Sequence, residues 1–173
     1  MRSVHRMPVI HRLACQGVLA LTLVCAGQLW QPAQASSWDQ VGRYLRLLRR
    51  MNVEALVAKD CPAGLLGAFH EGRRTLLLCG NNLPDDPKVV WVVLAHESVH
   101  VMQFCHGGPL MPANLFTQSL DQARHQDPGL FKELKLYHAS QHQLEAEARL
   151  VQVLPPGQVE ALLWRHCGDQ IQP

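Results

Sequence analysis

The chain has 173 residues, of which 47% are hydrophobic and 17% are charged, with 16 basic against 14 acidic side chains. These values are typical of one ordinary globular domain, and they exclude a disordered tail, a collagen-like fibre and a multidomain array. No uninterrupted apolar run reaches the roughly 18 to 20 residues that a membrane span needs. Ten histidines and six cysteines are an unusual number for so short a chain.

The first 35 residues have the layout of a secretory signal. Three arginines precede an apolar stretch over 13–30, and Ala33 and Ala35 supply the small residues that a signal peptidase requires. We therefore expect cleavage after Ala35 and a single exported domain over 36–173, either periplasmic or extracellular. An uncleaved membrane anchor is one alternative. A lipoprotein processed at Cys25 is another, although Val24 stands where a small residue is needed.

Removal of that segment changes the charge balance and the cysteine count. The remaining 138 residues hold 13 basic and 14 acidic side chains, because three arginines and no acid are lost. A nearly neutral surface gives no electrostatic argument for nucleic acid or an anionic membrane as partner. Four cysteines remain, and in an oxidising compartment they predict two disulfides. A zinc site of four thiolates is the alternative, but no two of these cysteines have the spacing C-x-x-C. Of the three possible connectivities, we expect Cys61 with Cys79 and Cys105 with Cys167.

Two elements are predicted in the first half of the mature chain. A helix is expected over 38–58, because Ser37-Trp38-Asp39-Gln40 is a capping-box pattern and apolar residues then recur at helical spacing. The arginines of this segment lie mainly off the apolar stripe, which is typical of a solvated face. Residues 65–79 predict a β-hairpin with its turn at Glu71-Gly72-Arg73.

A longer helix is predicted from Pro87, with Asp86 as its N-cap, to a stop at Gly107. Its interior contains His96-Glu97-Ser98-Val99-His100, which is the pattern H-E-x-x-H. Residues four apart share a helical face, so both histidines can bind one metal ion while Glu97 acts on a metal-bound water. Composition alone gives roughly 0.02 chance matches to this pattern in a chain of this kind. Two ordinary surface histidines beside an exposed glutamate are the alternative.

A third protein ligand is needed, because catalytic zinc commonly has three protein ligands and one water. His106 lies at the offset used by the elongated motif, but Gln103 occupies the position of the required glycine. A helix predicted over 137–151 offers two carboxylates instead. Glu147 lies within the apolar stripe of that helix, where a buried carboxylate needs a compensating charge, whereas Glu145 lies on the polar side. We therefore predict Glu147 as the third ligand, with Glu145 as the alternative.

Further polar residues could support such a site. Candidates by residue type for stabilising an oxyanion are Tyr137, His138, His142 and His106. His138 and His142 are also four residues apart, so a second, weaker metal site is an alternative to a solvated polar face. A last amphipathic helix is predicted from Val159 to a stop at Cys167-Gly168.

Residues 65–154 resemble the HExxH-plus-Glu zinc metallopeptidases, the gluzincin group, in their hairpin, their H-E-x-x-H helix and the later Glu145-Ala146-Glu147-Ala148 segment. The resemblance implies an α+β, mainly helical minimal zincin fold: a small antiparallel sheet beside an active-site helix and a Glu-donating helix. It also implies that the edge strand of the sheet holds an extended peptide. The residue four after the candidate ligand is often acidic in such families, but here it is Arg149 or Val151.

These features predict an exported zinc-dependent peptidase, with Zn²⁺ as cofactor and a peptide or protein as substrate. Zinc would lower the pKa of its water and polarise the scissile carbonyl, while Glu97 takes the proton of the water and passes it to the leaving amine. The alternative is a non-catalytic zinc-binding exported protein of the same fold. A pure binding site, however, has no need of a base beside its ligands.

Overall fold

The computed structural model describes residues 37–132, 134, 138 and 141–170. The predicted signal segment, its cleavage site and Tyr137 lie outside the described residues. In chain order the elements are α1 (Trp38–Arg50), β1 (Glu54–Ala58), β2 (Gly67–His70), β3 (Thr75–Cys79), α2 (Pro87–His106), α3 (Ala113–Gln126), α4 (His142–Gln152) and α5 (Pro156–Cys167). The architecture is mainly helical with one small sheet, which agrees with the predicted α+β class.

The first helix is shorter than predicted, because residues 54–58 form strand β1. Its start agrees with the sequence, since the Ser37 hydroxyl oxygen accepts a hydrogen bond from the backbone N–H of Gln40 at 3.2 Å. Its end is set by Asn52, which takes a left-handed conformation with φ 57° and so breaks the helical path. The prediction of a helix through residue 58 is therefore wrong, and the apolar residues after Arg50 continue as a strand.

The sheet has three strands in the order β1-β3-β2 and is mixed. Strands β2 and β3 are antiparallel, as the predicted hairpin requires, and Glu71–Arg73 forms a short 3-10 turn between them. The prediction of a purely antiparallel sheet is wrong for β1, which pairs parallel to β3. Strand β3 lies between β1 and β2, runs in the same direction as β1 and runs opposite to β2. Strand β2 is therefore an edge strand.

Helix α2 is the central element and contacts α1, α4, α5, β2 and β3. Both predicted ends are present: the Asp86 carboxylate accepts the backbone N–H of Lys88 at 2.8 Å, and Gly107 ends the helix with φ 81°. Apolar residues on several sides of this helix are fully buried, including Leu94, Val99 and Met102. The backbone that carries the H-E-x-x-H residues is thus held by packing on several faces.

Two disulfides join the predicted cysteine pairs, Cys61 with Cys79 and Cys105 with Cys167. The first lies beside the sheet, and the second joins the last turn of α2 to the end of α5. Disulfides of this kind are typical of proteins in an oxidising, exported environment. Within the described part of the chain, no helix is long and apolar enough to cross a membrane.

Helix α3 was not predicted, whereas α5 agrees with the last predicted helix. None of the residues of α3 is buried, although Phe116, Leu120 and Ala123 recur at helical spacing and are partly buried. Helix α5 instead buries Val159, Leu163 and Cys167 against the core. A helical pattern of apolar residues is therefore present in both segments, but of the two only α5 buries side chains in the core.

Candidate metal centre

A cleft of about 600 Å³ lies between α2, α4 and β2. Its lining includes the three polar residues of the H-E-x-x-H motif on α2, the backbone of β2 and the start of α4. The motif therefore faces an open cavity that is large enough for part of a peptide.

Three potential metal ligands converge at one wall of this cleft. His96 and His100 lie on one face of α2, with their ring centroids 5.1 Å apart. Nε2 of His96 is 3.4 Å from one carboxylate oxygen of Glu145, and Nε2 of His100 is 3.5 Å from the other. The ligand atoms of the three residues all lie within 4.8 Å of one another. This group could hold one metal ion, because two imidazoles and one carboxylate are an established ligand set for catalytic zinc.

The position of Glu147 reverses the order of preference that the sequence suggested. Glu147 is fully buried, but its carboxylate is hydrogen-bonded by the side-chain amide of Gln103 and by the backbone N–H groups of Leu110 and Met111. These hydrogen bonds compensate for its burial without a metal ion. Glu145, expected on a polar side, is itself only 8% exposed because α4 packs closely against α2. Burial alone could not show which of the two carboxylates faces the histidines.

The other predicted candidates that the structure describes are not among these converging ligands. His106 packs against His166 with 5.2 Å between ring centroids, and it is not one of the converging ligands. His138 and His142 belong to no group of three or more converging ligands among the residues that the structure describes. Their role as a weaker site of two histidines stays a prediction, as does the role of any of these residues in stabilising an oxyanion.

The second nitrogen of each converging histidine contacts a glutamine side chain. Nδ1 of His96 lies 2.8 Å from the amide oxygen of Gln152, and Nδ1 of His100 lies 2.9 Å from that of Gln103. Because an amide oxygen can only accept, these contacts place a hydrogen on each Nδ1, and a neutral ring of this kind has its Nε2 lone pair free for a metal ion. Histidines that bind metals usually have such a partner on their other nitrogen. The sequence reasoning missed both glutamines, although Gln103 follows His100 by three residues and so shares its helical face.

The electrostatics of the group fit a divalent cation. One carboxylate oxygen of Glu145 is buried and has no hydrogen-bond partner within the described residues. Burial tends to raise the pKa of Glu145, but its contact with His96 and the neighbouring His100 outweigh this effect and lower it. Burial also lowers the pKa of His100, which favours the neutral ring that a metal requires. An unsatisfied carboxylate oxygen beside two imidazole lone pairs is a donor set that a cation would complete.

Glu97 lies next to this group and lines the same cleft. Burial raises the pKa of its carboxyl group to about 7, an effect that His96 opposes and Glu145 reinforces. A carboxyl group with a pKa near neutrality can both accept and release a proton at physiological pH. Strand β2 lies directly against it, since a Cβ atom at Gly67 would approach the Glu97 Cγ and a Val93 methyl group to 2.8 Å.

Comparison with known proteins adds no family assignment. No protein-family model, no curated protein and no solved structure matches the chain. The resemblance to H-E-x-x-H metallopeptidases thus depends on the motif residues, and the functional argument depends on the geometry of the site.

Proposed function

We propose that the protein is an exported zinc-dependent peptidase of minimal zincin-like fold. The observation that carries this proposal is the convergence of two histidines and Glu145 in one cleft, with Glu97 beside them. Metal ligands next to a buried carboxyl group with a pKa near 7 are the parts that amide hydrolysis requires. The two disulfides support export, because they form and persist in oxidising compartments.

His96, His100 and Glu145 are the residues that would hold the ion. Two nitrogen donors and one oxygen donor favour zinc over magnesium or calcium, which prefer oxygen ligands alone. When bound, zinc acts as a Lewis acid on the scissile carbonyl and acidifies a coordinated water. The glutamine partners on the two Nδ1 atoms keep both rings in the tautomer that presents Nε2 to the ion.

Glu97 is the proposed catalytic base. It accepts the proton that the attacking water loses as the new C–O bond forms. It then delivers that proton to the amide nitrogen as the C–N bond breaks, so that the amine leaves uncharged. Burial raises the pKa of Glu97 above the ordinary value of a carboxyl group, which makes its carboxylate a stronger base for the first half of this transfer.

The shape of the cleft supports an extended peptide as the substrate. Gly67, Ala68 and Phe69 of β2 line the same cavity as the histidines. Because β2 is an edge strand, a peptide can pair with it through main-chain hydrogen bonds while its scissile bond lies over the metal ligands. Main-chain pairing is tolerant of side-chain identity, so an unfolded protein is a suitable first substrate.

The decisive experiment compares the wild-type protein with Glu97→Gln. We expect both to bind one zinc ion per chain, because Glu97 is not a ligand, and we expect the variant to cleave an unfolded protein about 1,000-fold more slowly. Glu160→Gln is the matched control, since Glu160 is an exposed carboxylate on α5 that does not line the cleft. Its activity should stay near that of the wild type.

Zinc content and proteolysis together separate the outcomes. If the wild type binds zinc but cleaves nothing, the peptidase proposal fails and a zinc-binding role remains. If no zinc binds to the folded protein with its disulfides formed, the metal centre fails as well.

A further inference from the structure

A chain of hydrogen bonds connects His100 to a buried carboxylate outside the ligand group. The Gln103 amide oxygen contacts Nδ1 of His100 at 2.9 Å, and the Gln103 amide nitrogen donates to one Glu147 carboxylate oxygen at 3.0 Å. The same nitrogen donates to the backbone carbonyl of Leu144 at 3.0 Å. Gln103 is 5% exposed and Glu147 is fully buried, so water does not compete strongly for these contacts.

The orientation of the Gln103 amide favours a hydrogen on Nδ1 of His100, and it acts against the Glu145 carboxylate, which lies 3.5 Å from Nε2 and favours a hydrogen there. A side-chain amide has an oxygen that accepts and a nitrogen that donates, and the two ends exchange when the group rotates by half a turn. In the rotated form, the oxygen would face the Glu147 carboxylate and the Leu144 carbonyl, both of which only accept. Two acceptors on one side of the amide therefore leave its oxygen facing His100.

The backbone of the loop after α2 holds Glu147 in turn. One carboxylate oxygen accepts the N–H of Met111 at 3.0 Å, and the other accepts the N–H of Leu110 at 2.8 Å together with the Gln103 amide. Hydrogen bonds at both oxygens prevent rotation of the carboxylate. The loop, α4 and α2 are thus connected through one buried side chain.

We propose that Glu147 is a positioning residue for the metal centre: it orients Gln103, and Gln103 holds His100 as the Nδ1–H tautomer with its Nε2 lone pair directed toward the metal position. The part of this proposal that concerns metal affinity rests on the proposed zinc site. The part that concerns the tautomer applies to the metal-free protein. His96 provides an internal comparison, because its Nδ1 contacts Gln152 and not Gln103.

The first test is nitrogen–proton correlation spectroscopy of the ring nitrogens in isotope-labelled, metal-free protein at mildly alkaline pH. In the wild type we expect His100 as the Nδ1–H tautomer and slow solvent exchange of the Gln103 side-chain amide hydrogens. Neither measurement needs a variant. Observation of His100 as the Nε2–H tautomer, or rapid exchange of those amide hydrogens, would overturn the proposal.

The second test uses Glu147→Gln, which keeps the size of the side chain but replaces one acceptor oxygen with a donor. We expect the His100 tautomers to become mixed, His96 to remain unchanged, and the Kd for zinc to rise by about 10- to 100-fold. Glu160→Gln is the control, since Glu160 is an exposed carboxylate on α5. A folded Glu147→Gln protein with the wild-type His100 tautomer and the wild-type Kd contradicts the proposal.

A double-mutant cycle distinguishes positioning from a purely structural role. Gln103→Met removes the amide that connects Glu147 to His100. The Kd of this variant for zinc should rise by a factor similar to that of Glu147→Gln. If Glu147 acts through Gln103, adding Glu147→Gln to Gln103→Met changes the Kd by less than about twofold, because the link is already lost. Fully additive effects on the Kd would mean that Glu147 acts only by holding the loop after α2, and not through Gln103. If no variant and no wild-type sample binds zinc, the proposed function fails, while the wild-type tautomer still decides the positioning role.

Discussion

Two glutamates separated by one residue on α4 have different environments. Side chains two apart on a helix lie about 200° apart, so Glu145 and Glu147 project from nearly opposite sides. Glu145 faces the imidazole nitrogens of His96 and His100, whereas Glu147 accepts hydrogen bonds from Gln103 and from the backbone of a loop. Both are buried, because α2 and the following loop cover the two sides of α4.

Glu145→Ala tests which carboxylate is the ligand. We expect the Kd for zinc to rise by at least about 100-fold, since the change removes a direct ligand and not a supporting contact. Isothermal titration of the metal-free protein measures this effect. Glu160→Ala, which removes an exposed acid of α5 outside the cleft and the ligand group, is the control and should leave the Kd within about threefold. A larger loss of affinity in Glu147→Ala than in Glu145→Ala would restore the ligand that the sequence suggested.

At the scale of elements, the site depends on how closely the edge strand approaches the central helix. Strand β2 contacts α2, and Gly67 lies against the side chains of Val93 and Glu97 on that helix. A Cβ atom at this position would be 2.8 Å from both the Glu97 Cγ and a Val93 methyl group. The absence of a side chain therefore lets the strand lie against the proposed catalytic base.

Gly67→Ala should separate β2 from α2 or displace Glu97. We expect a loss of about 1–3 kcal/mol in the free energy of unfolding, because overpacking forces side chains and backbone to shift. We also expect a larger fall in peptide hydrolysis than in zinc affinity, since the clash involves Glu97 and no metal ligand. Urea denaturation, zinc titration and proteolysis assays measure the three quantities.

Gly72→Ala is the matched control for that change. A Cβ atom there meets nothing closer than 3.4 Å, which is an ordinary contact with His70. Equal effects of the two substitutions would show that the close approach at Gly67 does not matter.

At the scale of the whole molecule, the two disulfides constrain different parts of the fold. Cys61–Cys79 closes a short segment of 18 residues around β2, whereas Cys105–Cys167 spans 62 residues and joins α2 to α5. On the chain-entropy model, closing the longer segment stabilises the fold by about 4 kcal/mol and closing the shorter one by about 3 kcal/mol. Helix α5 is therefore held to α2 by a covalent link as well as by its apolar face.

Replacing each pair of cysteines with alanine tests this ranking. We expect the Cys105→Ala/Cys167→Ala variant to lose about 1 kcal/mol more in the free energy of unfolding than the Cys61→Ala/Cys79→Ala variant. Urea denaturation of both variants and the wild type measures the difference. The opposite ranking would mean that strain or residual structure in the unfolded chain, and not loop length, controls the effect.

Most features that were predicted correctly depend on residues close together in the chain, and the pairing of Cys105 with Cys167, 62 residues apart, is an exception. The Asp86 cap, the glycine stop at Gly107 and the turn at Glu71–Arg73 are set by local backbone preferences. The spacing of His96 and His100 places them on one helical face in any context. Strand β1 was missed, because Leu56 continues the helical spacing of the apolar residues of α1, although the left-handed Asn52 separates the two elements.

By itself, the amino-acid sequence determined the helix that carries the motif, the hairpin beside it and the residue types from which a metal centre can be built. Only the tertiary structure decided which side of α4 faces the histidines, that β1 joins the sheet in parallel, and that Gln103 and Gln152 hold the two rings. The reason is physical. Local patterns specify the periodicity of an element, but when a helix is buried on two sides, the neighbour that each side contacts depends on the packing of the whole fold. Glu145 and Glu147 differ in their neighbours far along the chain, and those contacts exist only in the folded molecule.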